Sequence, residues 1–172
     1  MFKPLNFFLK RFGVQINLNE ALIDEVGEKF FLLNDKLKDI TMRIPKKYYH
    51  AGVLLGALRK GAFLPSFPLI SIIADKVENK VFVNDKTAWL FICGRDIFKE
   101  GITRVEGSTK KNDYTLILNK YSECLGFGVI KQNPKEAEKG VVVQNILDLG
   151  DFLRREQKQK QKARKTQKIQ KC

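Results

Sequence analysis

The stretch "YTLILNKYSECLGFGVI", Tyr114–Ile130, constrains the fold of this chain more than any other. Tyr114, Leu116 and Leu118 alternate with Thr115, Ile117 and Asn119, which is the period of a strand and not of a helix. The polar run Asn119–Glu123 supplies a turn, and Cys124–Ile130 returns as a second strand. Gly126 and Gly128 stand two apart, on one face of that return strand. Lacking a Cβ, they admit another backbone or a ligand at close range, and a tight barrel corner fits them equally well.

The residues around this hairpin extend the sheet. "KVFVN" (Lys80–Asn84) reads as a strand with Val81 and Val83 on one face. In "DKTAWLFICGRDIFKEGI", Asp85 reads as an N-cap, Gly94 as a stop and Asp96 as a second cap. "NPKEAEKG" is a loop, and "GVVVQN" (Gly140–Asn145) a strand buried on both faces. Asp148 is then expected to cap a closing helix that turns Leu149, Phe152 and Leu153 inward.

The first half has a different grain. Phe2, Leu5, Phe8, Leu9 and Phe12 recur at helical spacing, with Gly13 as a stop. A second helix is expected after Asn19, with Leu22, Ile23 and Val26 on one face. "KFFLL" (Lys29–Leu33) reads as a strand. Asn34 or Asp35 caps a helix with Leu37, Ile40 and Ile44 on its apolar face, and Pro45 ends it. "HAGVLLGALRKG" reads as a strand with Gly52, Gly56 and Gly61 at bends or close approaches, while "FLPSFPLISIIADKV" fits no single element. The fold class is α+β, with an N-terminal antiparallel sheet and helices followed by a second β-rich half and a basic closing helix.

At 172 residues and 44% hydrophobic content, the chain can build its core without staples or metals. Cys93, Cys124, Cys172 and the single His50 lie at no metal-ligand spacing, and so scattered a set is not a disulfide framework. An intracellular protein is expected, with Cys93 and Cys124 as small core hydrophobes. The N-terminus, which mixes Lys3, Lys10 and Arg11 into a short apolar patch, is not a signal peptide. The longest uncharged stretch, Gly61–Ala74, is fourteen residues with two prolines, and a membrane-spanning helix needs about 20 apolar ones.

Catalytic patterns are missing. His50, beside Tyr48 and Tyr49, reads as a half-buried structural residue, with no nucleophile–base pair, zinc-protease motif or phosphate-binding glycine loop in the chain. No enzyme, metal or cofactor is expected. The aromatic side chains Phe2, Phe7, Phe8, Phe12, Phe63 and Phe67 read as core.

The strongest physical signal is charge. The net charge is +13, of which the last nineteen residues, with nine basic side chains against Glu156, carry +8. A helix running on past Leu153 would stack Arg155, Lys158, Lys162 and Lys165 on one face, with Lys160 and Arg164 in a neighbouring stripe. Such a helix repels itself unless a counter-charge is supplied, and a phosphate backbone supplies it. Arg154, Arg155, Lys158, Lys160 and Lys162 are therefore the candidate RNA-binding residues. The alternative is a solubilising terminus. A peripheral membrane role fits poorly, because Ile169 is nearly alone as an apolar side chain in the tail.

"KVFVNDKTAWLFICGRDIFKEGI", "CLGFGVI" and "KGVVVQNILDLGDFLRRE", in that order, resemble a PUA domain, the small RNA-binding pseudo-barrel. "AGVLLGALRKGAFLPSFPLISIIA" ahead of them is similar to the N-terminal domain of the Nip-seven family of ribosome biogenesis factors. The resemblance implies an α+β domain over residues 1–76, a PUA β pseudo-barrel over 77–157 and a basic tail over 158–172. It implies a non-enzymatic adaptor that binds U- or A/U-rich pre-rRNA during large-subunit assembly. A subunit or guide module of an RNA-modifying enzyme is the alternative. The basic positions of the closing helix in archaeal members fall here on Arg154, Arg155 and Lys158, while Gln161 stands where a further lysine is expected. The resemblance also implies ribosome-assembly or exosome proteins as partners of the N-terminal domain, and a cytoplasmic location, nucleolar in a eukaryote.

Overall fold

The computed structural model of the chain describes residues 3–14, 19, 22–44, 48–59, 61–151 and 154. Helix α1 (Lys3–Arg11) opens the chain and ends at Gly13, which takes the left-handed φ of 70° expected of a helix stop. Then come β1 (Ile23–Val26), β2 (Lys29–Leu32), α2 (Asp35–Arg43), β3 (Val53–Arg59), β4 (Ala62–Pro65) and α3 (Phe67–Ile73). The second half holds β5 (Lys80–Val83), α4 (Asp85–Ile92), β6 (Ile97–Phe98), β7 (Ile102–Glu106), β8 (Tyr114–Leu118), β9 (Cys124–Ile130) and β10 (Val141–Asp148).

The strands form two sheets. β1 to β4 pair in chain order, every pair antiparallel. The other sheet runs β6-β10-β9-β8-β5-β7, with β5 and β8 parallel and the remaining pairs antiparallel. The Tyr114–Ile130 hairpin forms its β8–β9 centre as expected, pairing Tyr114 with Val129 and Ile117 with Gly126 before the register shifts at Leu118.

Strict alternation along β5 and β8 feeds two cores. Val81, Val83 and Ile117 point to one core, with Ala88 and Phe91 of α4, Leu125, Val142 and Val143. Phe82, Leu116, Leu118 and Phe127 point the other way, into a core completed by Leu5, Phe8, Leu9 and Phe12 of α1 and by Leu69, Ile70 and Ile73 of α3. The N-terminal helices thus cover the outer face of the second sheet, and each buried Phe or Leu contributes about 1.5–3 kcal/mol. Phe8, Phe12, Tyr114 and Phe127 meet in this layer with ring centroids 5.2–5.8 Å apart.

The paired glycines answer to a backbone. A Cβ on Gly126 would lie 2.0 Å from the Leu147 carbonyl oxygen, and one on Gly128 2.5 Å from that of Gln144. β10 presses against β9 here and is bulged between Asn145 and Leu147.

Several expectations are corrected. Ile23–Val26, expected within a helix after Asn19, form strand β1, because pairing with β2 across the Gly27 turn outweighs a short helical pattern. Asn34 is the cap of α2, accepting from the Leu37 N–H at 2.8 Å, but that helix has no fully buried residue and Ile40 is half exposed. Asn84, not Asp85, caps α4, because β5 ends at Val83 and the Asn84 side chain reaches the Thr87 N–H. Asp96 caps nothing: its carboxylate accepts from the Asn145 N–H of β10 at 2.8 Å. The unassigned proline-rich stretch splits into β4 and α3, with Ser66 as cap between them. Within the stretch Gly140–Asn145, expected to be buried on both faces, Val142 and Val143 are buried and Gln144 is exposed. Cys93 is exposed and Cys124 half-buried, so neither is a full core residue. His50 is exposed, its ring edge-on to Phe31 at 4.9 Å.

Candidate nucleic-acid interface

The end of α4, the end of β10 and the start of the closing segment meet at one polar junction. The β10 bulge turns Asn145 toward α4, where its side-chain amide donates to the Phe91 carbonyl at 2.8 Å. The same amide donates to Asp148 Oδ2 at 3.1 Å. Asp148 is buried, and its other oxygen accepts from the Gly150 N–H at 2.8 Å. That contact turns the chain out of β10, as a cap does. The Arg154 N–H donates to the Gly150 carbonyl at 3.1 Å.

Arg154 closes the junction. Its guanidinium donates to Asp148 Oδ2 at 2.5 Å and to the carbonyl oxygen of Ile92, at the C-terminal end of α4. A cation there is favoured by the helix dipole as well as by the carboxylate. The hydrogen bond to Asp148 pushes the Arg154 pKa up, so the proton is held even more firmly. Two glycines make the space. A Cβ on Gly94, whose φ is 88°, would lie 3.2 Å from Arg154 Cζ, and one on Gly150 would strike the Ile92 carbonyl at 2.2 Å.

Of the five candidate RNA-binding residues, Arg154 alone is among the described residues. Arg155, Lys158, Lys160 and Lys162 lie outside them. Arg154 is turned inward onto Asp148, with its side chain about one-third exposed. Leu149, expected to face inward, is exposed, and Phe152 and Leu153 lie outside the described residues.

Around the junction stand exposed groups that no sequence motif marked. Trp89 projects from α4, 66% exposed, and Arg95 is exposed in the loop that follows. Trp89 sits on an apolar-rich helix, where composition suggests burial; only its phase relative to Ala88 and Phe91 sets it outside. Of the acids at this end, Asp148 is engaged by Arg154 and Asp96 by the Asn145 N–H, while Asp151 lines the neighbouring groove. A groove of about 410 Å³ runs beside the junction, between Gly56 and Phe67 on one side and Leu147 and Leu149 on the other. Among the described residues no group of three or more His, Cys, Asp or Glu could hold a metal ion. None of the described helices is long and apolar enough to cross a membrane.

The chain has counterparts among known proteins. Residues 79–157 match the family described as the UPF0113 PUA domain. The chain is 29% identical over 110 residues to a UPF0113 protein of Archaeoglobus fulgidus, covering 62% of each chain. It is 24% identical over 134 residues to the 60S ribosome subunit biogenesis protein NIP7 homolog of Dictyostelium discoideum, covering 74% of this chain and 75% of that one. The fold is shared with a conserved PUA domain protein of Thermoplasma acidophilum, with a TM-score of 0.51 and 19% identity over 87% of this chain and 93% of that one. A protein of Pyrococcus horikoshii described as hypothetical superposes with a TM-score of 0.55 and 17% identity, over 88% of this chain and 90% of that one.

Proposed function

Because the chain carries a UPF0113 PUA domain and is homologous to archaeal UPF0113 and eukaryotic NIP7 proteins, we propose that it is a non-enzymatic RNA-binding adaptor of ribosome biogenesis. PUA domains bind RNA, and the NIP7 relatives are named for 60S subunit biogenesis. The observation that carries the reading is the Asp148–Arg154 junction. It anchors the root of the most basic segment of the chain to the barrel, next to exposed Trp89 and Arg95. Arg155, Lys158, Lys160 and Lys162 then contact phosphates of a U- or A/U-rich strand, with Arg154 setting their direction. The match over residues 79–157 supports the division into an N-terminal domain at 1–76, a PUA domain at 77–157 and a tail at 158–172. The adaptor works where pre-rRNA is made, in the cytoplasm or, in a nucleated cell, the nucleolus, and its N-terminal domain serves assembly or exosome proteins.

Crosslinking in cells with sequencing of the bound RNA tests this. Recovered fragments should concentrate in large-subunit pre-rRNA. A spread over messenger RNAs in proportion to their abundance would contradict it.

A further inference from the structure

Helix α1 buries Leu5, Phe8 and Leu9 and leaves its other face to solvent. On that face stand Lys3, Phe7, Lys10 and Arg11, all exposed, with Phe7 at 68%. Lys3, Phe7 and Arg11 are four residues apart and Lys10 is three from Phe7, so they form one stripe about 12 Å long. The sequence spacing placed Phe7 in the core, and the structure corrects this. A single exposed Phe is ordinary in a soluble protein, and its surroundings are what matter here.

Those surroundings are cationic and aromatic. A cavity of about 600 Å³ opens beside Phe7, lined also by Phe8, Phe63, Tyr114, Lys3 and Arg11, and no acid among the described residues lines it. Arg11 is pre-set. One of its nitrogens donates to the Tyr114 hydroxyl and another to the Asn112 carbonyl, both at 3.0 Å, and its Cζ lies 4.0 Å above the Tyr114 ring. The loop before β8 adds exposed Lys110 and Lys111, and its one acid, Asp113, is engaged by the Ser108 hydroxyl. Lys3, Lys10, Lys110 and Lys111 form no ion pair among the described residues. Acidic partners are thus called for, and flat ones suit the aromatic floor.

We infer that α1 and the Lys110–Lys111 loop form a second contact for single-stranded RNA. Phe7 stacks on a base above the Phe8, Phe63 and Tyr114 floor, while Lys3, Lys10, Arg11, Lys110 and Lys111 take phosphates. The inference rests on the RNA-binding reading above and adds a site to it. The two sites are separated on the sheet. Tyr114 pairs with Val129 near one end of β9, and Asp148 pairs with Gly126 toward the other. Only a strand long enough to reach both gains from both.

The test uses the full chain and fluorescent oligouridines of about 6 and about 20 nucleotides, chosen to span one site or two. Phe7→Ala should weaken binding of the long RNA about tenfold and leave the short one unchanged. Lys3→Ala with Lys10→Ala should reduce the slope of log affinity against log salt by about 1.4 on the long RNA. Thermal melts should match the wild type, because these side chains are exposed. If the wild type binds the long RNA and Phe7→Ala binds it equally well, the second site is wrong while the RNA-binding reading stands. If the wild type binds neither RNA, both fail. If a polyglutamate peptide of equal charge displaces the long RNA regardless of Phe7, the face is a general anion surface and the inference falls.

Discussion

The Arg154 guanidinium meets the Asp148 carboxylate at 2.5 Å, and the acid is almost wholly buried while the base is about one-third exposed. The pair couples the end of β10 to the end of α4 through one side chain. Among the described residues, removing Arg154 leaves Asp148 with the Gly150 and Asn145 donors alone. Arg154→Ala should cost about 1.5–3 kcal/mol, the range for hydrogen bonds to charged groups. That lowers the melting temperature by roughly 4–10 °C for a chain of this size. Arg154→Lys should recover only part, since an ammonium cannot fork between Asp148 and the Ile92 carbonyl. With Asp148→Asn, the double variant should lose less than the two single losses added, as measured by thermal melts.

The glycines that flank these contacts are equally exposed to test. Gly94→Ala puts a Cβ at a φ of 88° and 3.2 Å from Arg154 Cζ, and should cost roughly 1–2 kcal/mol from the backbone alone. Gly126→Ala meets the Leu147 carbonyl at 2.0 Å and cannot be relieved by a rotamer change. Its cost should exceed about 3 kcal/mol and appear as loss of soluble protein in urea titrations.

A pH effect is expected at the far sheet. Burial, and then the hydrogen bond to Asp24 Oδ2 at 2.5 Å, push the Tyr48 pKa up to about 12. Its folded-state value is therefore above the unfolded value near 10. The stabilisation is whole below pH about 10 and is lost as pH rises toward about 12. Ultraviolet titration should show one of the four tyrosines ionising last, and Asp24→Asn should bring it down.

The central hairpin was legible because its alternation feeds two cores at once. Residue 116 faces one and residue 117 the other, a demand that helical phase cannot meet. The cap at Asn34 was equally legible, since its geometry is local. The strand at Ile23–Val26 was not, because four residues carry no resolvable period and a partner strand decides them. At the candidate site, the basic residues were visible as composition. The inward turn of Arg154 was not, because its partners Asp148 and Ile92 meet it only through the bulge in β10. Phe7 and Phe8 are adjacent aromatics of opposite fate, separated only by helical phase against a core that the sequence does not display.

The basic segment that follows Arg154 is proposed as the RNA-binding surface. The most direct measurement is the affinity of the full chain for a U-rich RNA across a salt series, with and without Arg155→Ala and Lys158→Ala together. These two side chains are chosen because changing Arg154 also disturbs the junction. The double variant should bind every RNA tested more weakly, with a salt slope shallower by about 1.4. An unchanged affinity with an unchanged slope would contradict it.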